Sequence, residues 1–245
     1  MGTESKSMSR RTFLGGMAGA AGVMMAGGRA MAREAARHVP ASERARVAVI
    51  GNGGMGSRHT EALSQNPHCD LVALCDVAKG RYMPLLDKVE GWMGKRIDGY
   101  QDFRYVLDRQ DIDAIFVVTP DNWHPLLTIL GCQAGKDVYV EKPVCPTVEE
   151  GRAMVEAARR YGRVVQVGTQ QRSMPMNNWA SDLVKNGAIG KIKTVLAPNF
   201  VGPLQWTSTD SEPLPEGGKD GWWDKWTNQA VMRPYHHLLH HGWEK

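Results

Sequence analysis

The chain has 245 residues, with 30 lysines and arginines against 26 aspartates and glutamates. Residues 1–32 hold four of the basic residues and one of the acidic ones, so the remainder carries 26 against 25, a net charge of +1. This balance excludes a strongly basic nucleic-acid-binding protein. The four cysteines form neither a Cys-x-x-Cys pair nor a zinc-binding spacing, which favours free thiols over disulfides or a structural metal site.

The N-terminal segment has the pattern of an export signal. A charged start with adjacent Arg10 and Arg11 precedes an apolar, glycine-rich run over Phe13–Gly28, and the small residues of Ala30–Ala32 predict cleavage after the last of them. The paired arginines resemble a bacterial twin-arginine signal, which predicts a signal peptide over 1–32 and a periplasmic or otherwise exported protein. The apolar run is shorter than the roughly 20 residues that span a bilayer, so no stable membrane anchor is expected. The alternative is a disordered basic N-terminus with adjacent arginines by chance.

Alternating strand and helix patterns begin at Arg46. Arg46–Ile50 and Leu71–Asp76 have the pattern of buried strands and Gly53–Gln65 that of a helix, which makes one βαβ unit. Short strands that alternate with helices predict a Rossmann-type, doubly wound parallel sheet of the α/β class. The further predicted strands are Ala114–Val118, Val138–Glu141 and Val164–Val167, and the further helices are Ala78–Glu90, Trp123–Ala134 and Val148–Tyr161.

The first predicted turn carries the pattern G-x-G-x-x-G. It directly follows a strand and opens a helix, and Asp76 ends the next strand 20 residues beyond the last glycine. In dinucleotide-binding folds such glycines let the backbone approach the pyrophosphate, and the acidic residue binds the ribose hydroxyls. NAD is therefore the expected cofactor; Lys79 and Arg81 would offset part of the repulsion of a 2′-phosphate, which keeps NADP as the alternative. The alternative is that these glycines only allow the chain to turn and bind no cofactor. The predicted cofactor-binding residues here are Gly51, Gly53, Gly54, Met55, Gly56 and Asp76.

A capping box marks the start of a later helix. Thr147 is followed three residues later by Glu150, the spacing at which hydroxyl and carboxylate bond each other's backbone amides. This places Glu141–Pro143 in the loop after a strand. Because ligands of open α/β sheets bind outside the carboxyl ends of the strands, this loop is a candidate site.

The pattern changes beyond Val167. A helix over Asn177–Asn186, a turn over Gly187–Gly190 and a strand over Lys191–Phe200 precede more than 40 residues with weak periodicity. Structureless stretches of that length are uncommon in compact domains. We therefore expect a truncated chain that ends before an α+β second domain with an open sheet is complete. The predicted divisions are a signal peptide (1–32), a dinucleotide-binding domain (44–168) and an incomplete substrate or oligomerisation domain (169–245).

Three segments together resemble the Gfo/Idh/MocA family, which includes glucose-fructose oxidoreductase and inositol dehydrogenase. They are the glycine motif over Gly51–Gly56, the T-P-D-N-W-H run over Thr119–His124 and the E-K-P tripeptide over Glu141–Pro143, the most specific of the three. The resemblance covers about Arg46–Phe200 and implies an NAD(P)-dependent oxidoreductase that acts on CH-OH groups. Members of the family have an acid-base Asp and His on one helix of the second domain. No matching D-x-x-x-H segment occurs in this sequence before Lys245.

The resemblance also implies roles for individual residues. Lys142 is the expected catalytic or substrate-orienting residue, either as a buried ammonium or as a hydrogen-bond donor to the reacting oxygen; the alternative is a solvated loop lysine. His124 is expected to line the cofactor, or only to begin a helix. Arg172 is expected to contact the substrate, or to be a surface residue. The residues implied for the cofactor are Thr119, Pro120, His124 and Glu141, with Glu141 near the nicotinamide ribose, and those implied for the substrate are Gln170 and Arg172.

An export signal and a dinucleotide site together constrain the reaction. Outside the cytoplasm no free nicotinamide pool would replace a lost cofactor, so we expect a tightly held cofactor and a redox cycle that closes on the enzyme. The leading hypothesis is an oxidoreductase that transfers hydride between a sugar or polyol carbinol and the bound cofactor. The alternatives are an NAD-dependent glycosidase that acts by oxidation and elimination, and a non-catalytic cofactor-binding remnant. The expected partner is a small sugar or polyol, with no nucleic acid and a homo-oligomer only for a full-length form.

The tail is rich in histidine and tryptophan. His236 with His240, and His237 with His241, have the i, i+4 spacing that places two imidazoles on one helical face. No flanking carboxylate or thiolate completes a ligand set, so no metal site is predicted. The tryptophans fit either a sugar-facing surface or a core; they are Trp206, Trp222, Trp223 and Trp226.

Overall fold

The computed structural model describes residues 40–197, 211–214, 221–227, 232–237 and 239. The predicted signal peptide, Trp206, His240 and His241 lie outside these ranges, and the export signal stays a prediction. No helix within the ranges combines the length and apolar character needed to cross a membrane.

Six parallel strands form one sheet. They are β1 (Ala45–Ile50), β2 (Cys69–Cys75), β3 (Asp98–Tyr100), β4 (Ala114–Val117), β5 (Asp137–Glu141) and β6 (Val165–Gly168). Their order is β3-β2-β1-β4-β5-β6, which is the order of a doubly wound dinucleotide-binding sheet. The predicted Rossmann-type fold is confirmed. Because all the strands are parallel, they end at one edge of the sheet, which we call the carboxyl edge.

Helices connect these strands. They are α1 (Gly54–Ser64), α2 (Lys79–Met93), α3 (Phe103–Leu107), α4 (His124–Gln133) and α5 (Val148–Arg160). The capping box is confirmed at the start of α5, where Thr147 Oγ1 accepts from the Glu150 amide at 3.2 Å and the Glu150 carboxylate accepts from the Thr147 amide at 3.1 Å. The helix predicted from Trp123 begins one residue later, because Trp123 ends a 3-10 turn.

Two short elements, β3 and α3, were not predicted from the sequence. β3 has only three residues, Asp-Gly-Tyr, none of them fully buried, and it pairs with β2 at the edge of the sheet. α3 is a helix of five residues. Neither is long enough to show a hydrophobic period.

The core lies on both faces of the central strands. All four residues of Val47–Ile50 and of Ala114–Val117 are buried, as expected for parallel strands covered on two sides. Phe116 packs on one face of the sheet, where α1 contributes Leu63, and Ile115 packs on the other with Leu127 of α4. All four cysteines are free, and Cys69, Cys75 and Cys132 are buried, which confirms the prediction of free thiols.

Beyond the sheet, a second compact unit begins at Pro175. It contains α6 (Pro175–Lys185), close to the predicted helix, and α7 (Trp222–Thr227). The strand predicted over Lys191–Phe200 is wrong as far as residue 197, where the described part ends. A strand needs a partner for its backbone groups, and residues 191–197 pair with none of the described strands; Val195 and Leu196 are largely exposed. Trp222 and Trp223 are buried against Tyr235, which favours the core alternative for these two tryptophans.

Two helical glycines form a matched test of this packing. A Cβ at Gly91, on the exposed side of α2, would meet no atom within 4 Å, whereas one at Gly131, in α4, would lie 2.7 Å from Ile115 Cδ1 and 3.0 Å from Val138 Cγ2. We predict that Gly91→Ala raises the free energy of unfolding by about 1 kcal/mol, because alanine favours the helix. Gly131→Ala should lower it by about 1 kcal/mol or more, because overpacking outweighs that gain. Urea unfolding followed by far-UV circular dichroism measures both; equal stabilities would contradict the prediction.

Candidate functional site

A tight turn joins β1 to α1 at the carboxyl edge. Gly51 has a φ of +93°, and a Cβ there would lie 2.5 Å from the Val118 carbonyl oxygen just beyond β4. A Cβ at Gly56 would lie 1.9 Å from the Gly51 carbonyl oxygen. Real Cβ atoms do not approach other atoms so closely, so only glycine fits at either position. The two glycines thereby bring the start of α1 against the ends of β1 and β4.

The N-terminus of α1 is left open by its own sequence. Its N-cap is Gly53, which offers no side chain to the first amides of the helix. A Cβ at Gly54 would meet nothing within 4 Å, and the one neighbour of a Cβ at Gly53 would be the guanidinium of Arg81, at 3.7 Å. Met55 is half-buried beside them. Uncapped amides and the positive end of the helix dipole favour an anionic group, as phosphate groups do at such helix ends.

Asp76 fastens the turn to the end of β2. Its Oδ2 accepts from the Asn52 amide at 2.7 Å and its Oδ1 accepts from the Ala78 amide at 2.9 Å. Burial raises the pKa of Asp76, and the two amides and the charge of Arg81 oppose that rise. A carboxylate has about four acceptor positions, so the two that remain can bind the hydroxyl groups of a ribose.

Three buried polar atoms near the carboxyl edge lack a hydrogen-bond partner within the described ranges. They are Asn52 Oδ1, Thr119 Oγ1 and Gln170 Oε1, which follow β1, β4 and β6. Leaving such an atom unsatisfied costs about 1–3 kcal/mol. A polar ligand that lies along this edge would satisfy them, so the residues present fit a dinucleotide.

His124 ties together the loops that follow β4 and β5. The imidazole is buried, with Nδ1 2.7 Å from the Pro143 carbonyl oxygen and Nε2 2.8 Å from the Thr119 carbonyl oxygen. His124 therefore begins α4 and also positions the half-buried Pro120 loop relative to the E-K-P loop; its contact with the cofactor stays a prediction.

Glu141 is held by a histidine that the sequence analysis did not single out. His59 Nε2 donates to Glu141 Oε1 at 2.8 Å, and the Lys142 amide donates to Glu141 Oε2 at 3.0 Å. Burial raises the pKa of Glu141, but the hydrogen bond from His59, the Lys142 amide and the two positive charges outweigh it and hold that pKa below its usual value. This pair joins α1 to the end of β5. The predicted contact of Glu141 with the nicotinamide ribose stays a prediction.

The spacing of His59 in the sequence indicates that it lies on the buried face of α1. Together with Gly56, Thr60 and Leu63 it occupies the buried face of α1, at intervals of three and four residues. A histidine on an apolar helical face is a candidate for a buried polar partner. Its partner lies 82 residues further on, so the pair could not be read from local spacing.

Lys142 lies at the carboxyl edge with an exposed side chain. The expectation of a buried ammonium is therefore wrong within the described unit, because Glu141 points inward and the adjacent Lys142 side chain extends into solvent. The donor alternative remains. Arg172 is also exposed, and its neighbour Gln170 is half-buried in the same 3-10 turn after β6.

The carboxyl edge thus collects residues from five strand ends. Gly51 follows β1, Asp76 follows β2, Thr119 follows β4, Lys142 follows β5 and Gln170 follows β6. His59 links α1 to the end of β5, and His124 links the loops that follow β4 and β5.

Comparison with known proteins identifies the fold family. Residues 45–169 match a family model described as "Oxidoreductase family, NAD-binding Rossmann fold". The chain belongs to the Gfo/Idh/MocA family. The turn at Gly51–Gly56, Asp76 and the E-K-P loop all lie within the matched residues, so this Gfo/Idh/MocA chain has the NAD-binding Rossmann fold of the family.

Relatives of this Gfo/Idh/MocA chain include dehydrogenases. It is 34% identical over 149 residues to "scyllo-inositol 2-dehydrogenase (NAD(+))" of Bacillus subtilis (strain 168), which covers 60% of this chain and 42% of that protein. It is 27% identical over 179 residues to "Glycosyl hydrolase family 109 protein 1" of Shewanella sp. (strain MR-4), which covers 68% and 37%. The chain therefore spans less than half the length of these relatives.

Solved structures show the same fold. A myo-inositol 2-dehydrogenase from Lactobacillus plantarum superposes with a TM-score of 0.55 at 31% identity, over 61% of this chain and 43% of that one. A scyllo-inositol dehydrogenase from Lactobacillus casei, solved with bound NAD(H) and scyllo-inositol, gives 0.54 at 26% identity, over 60% and 42%.

The buried pair of His59 and Glu141 is directly testable. We predict that His59→Phe lowers the free energy of unfolding at pH 7 by about 1–3 kcal/mol, because it leaves a buried carboxylate oxygen without its hydrogen-bond donor. The pKa of Glu141 is lowered in the fold, so its stabilising contribution is present above its usual pKa of 4.5 and is lost as the pH falls through the folded value. The deficit of the variant should therefore shrink below pH 4.5. Urea unfolding at pH 7, 5 and 4 measures it.

His68→Phe provides the matched control, because His68 lies in the loop before β2 and is only partly buried. It should change stability by less than about 0.5 kcal/mol. A His59→Phe variant as stable as this control, or a deficit independent of pH, would show that the pair contributes little.

Proposed function

We propose that this chain binds NAD along the carboxyl edge and that its E-K-P loop takes part in hydride transfer from a sugar or polyol carbinol. The observation that carries the proposal is the open N-terminus of α1, held by Gly51 and Gly56 beside the carboxylate of Asp76. The relative named scyllo-inositol 2-dehydrogenase and the structure solved with NAD(H) and scyllo-inositol support a polyol as the substrate class.

Different residues would bind different parts of the dinucleotide. Amides at the start of α1 would hold the pyrophosphate, and Asp76 would accept from the adenosine ribose hydroxyls while repelling a 2′-phosphate. Thr119 Oγ1 and Gln170 Oε1 have free hydrogen-bonding capacity within the described unit for the polar groups that lie further along the edge. When bound, NAD supplies the hydride acceptor.

Lys142 is the proposed residue at the reacting carbinol. An ammonium there donates a hydrogen bond that orients the carbinol oxygen, and the free amine form accepts the hydroxyl proton as hydride leaves the carbon. The backbone of Lys142 is fixed on both sides, since its amide donates to Glu141 and the following Pro143 carbonyl oxygen faces His124. Because the neighbouring polar groups bond inward, the exposed lysine is the titratable side chain of this loop that remains for a substrate.

We also propose that the protein is exported in the folded state through the twin-arginine signal of residues 1–32. The paired arginines and the cleavage pattern support this location. Folded export would carry a captured cofactor out of the cytoplasm, so the proposal requires slow cofactor release and a reaction that regenerates its own NAD.

A second candidate is an NAD-dependent glycosidase, which oxidises a sugar transiently, eliminates the aglycone and restores the oxidation state. The relative named as a member of glycosyl hydrolase family 109 favours it. Release of p-nitrophenol from p-nitrophenyl glycosides without net NADH would support this candidate over the dehydrogenase. A chain that binds NAD but catalyses neither reaction would support the third alternative, a non-catalytic cofactor-binding remnant.

Asp76 gives the first prediction for binding. Asp76→Asn replaces one acceptor oxygen with a donor, so it breaks one backbone contact and removes the negative charge. We predict that NAD⁺ affinity falls at least about 10-fold and that preference over NADP⁺ narrows, measured by isothermal titration with both nucleotides. Asp70→Asn, at the opposite end of β2, is the control and should bind as the wild type does. Unchanged affinities in Asp76→Asn would contradict the proposed ribose contact.

Lys142 gives the prediction for chemistry. Lys142→Ala should retain NAD⁺ affinity but reduce NADH formation from polyols by about 10²–10⁴-fold, the usual range for a lost acid or base. Absorbance at 340 nm during single turnover with a panel of inositols and aldoses measures the rate. Lys88→Ala, on the exposed side of α2, is the matched control. Equal rates in the two variants would remove Lys142 from the proposed reaction.

A further inference from the structure

The second unit contains a cluster of ligands that the dinucleotide site does not use. Glu212, His236 and His237 each offer one ligand atom, and these three atoms all lie within 4.8 Å of one another. His237 Nδ1 lies 2.7 Å from Glu212 Oε1, and His236 Nε2 lies 3.5 Å from the same oxygen. Two imidazoles and one carboxylate are a ligand set that zinc uses with its fourth position open.

The distances are close to those of a tetrahedral ion. With bonds of about 2.0–2.1 Å from zinc to nitrogen and oxygen, neighbouring ligand atoms lie about 3.3 Å apart. The 3.5 Å separation between Glu212 and His236 already has that length, and the 2.7 Å separation between Glu212 and His237 must widen by about 0.6 Å.

The backbone around the cluster is held in place independently of any ion. The Glu212 amide donates to the Tyr235 carbonyl oxygen at 2.8 Å, and the His237 amide donates to Glu212 Oε2 at 2.7 Å. Tyr235 is buried against Trp222 and Trp223. The residue that precedes the two histidines is therefore anchored in an aromatic core, which limits the entropy lost when the ligands converge.

We propose that Glu212, His236 and His237 bind one divalent transition-metal ion, with Zn²⁺ as the ion that fits best. Bound there, the ion would join the segments 211–214 and 232–237 and stabilise the second unit, because its binding free energy adds to the folding free energy. The sequence showed the histidines but not this site, since the carboxylate lies 24 residues before His236 and the i, i+4 pairing with His240 and His241 suggested different partners.

The test titrates Zn²⁺ into the full chain, first stripped with a chelator, in competition with a chromophoric zinc indicator. We expect one ion per chain, and binding weakened at least about 10-fold by Glu212→Gln and by His237→Ala. Co²⁺ should give visible absorption typical of four-coordinate nitrogen and oxygen ligation in the wild type and lose it in both variants. His68→Ala, a histidine of the first unit, is the control and should leave binding unchanged.

Two outcomes would overturn the site. One is a wild type that competes for Zn²⁺ no better than Glu212→Gln while both have the same far-UV circular dichroism and tryptophan fluorescence. The other is binding that survives in Glu212→Gln but is lost in a His240→Ala/His241→Ala variant. If a single variant unfolds the second unit, the Co²⁺ spectrum of the wild type alone decides: no four-coordinate absorption means no such site.

Discussion

The close approach of backbone to backbone at Gly51 and Gly56 is the constraint on which the first unit depends. A carbonyl oxygen lies 2.5 Å or less from the position that each missing Cβ would take, so the start of α1 contacts the ends of β1 and β4 directly. The same turn places the Asn52 amide within hydrogen-bonding distance of Asp76. Any larger residue at either glycine would move the start of α1 away from the ends of β1 and β4.

Two buried histidines then link α1 and the loops at the carboxyl edge to one another. His59 extends from α1 to Glu141, and His124 spans the loops that follow β4 and β5. In each case the polar groups that the loops would otherwise leave unsatisfied are bonded inside the fold. The backbone of the exposed Lys142 is thereby held between two bonded neighbours, Glu141 and Pro143. A site assembled from strand ends needs such links because each loop alone is held only at its two ends.

Much of the first unit could be predicted because its signals are local. The run of buried residues in β1, the glycine spacing and the capping box at Thr147 each depend on residues within one turn or strand. What the sequence could not indicate depends on distant partners: Glu141 for His59, and Glu212 for His237. β3 was missed because three residues carry no period. The strand expected from Lys191 was wrong as far as residue 197 because β-branched residues favour a strand only where a neighbouring strand binds their backbone.

The proposed function requires that the chain binds NAD at the turn between β1 and α1. The most direct measurement is to denature the protein as purified, without added nucleotide, and to identify and quantify any dinucleotide in the supernatant by mass spectrometry and enzymatic assay. We predict that NAD is released, at close to one molecule per chain. Protein that releases no dinucleotide, and that also fails to bind added NAD⁺ or NADH by titration, would contradict it.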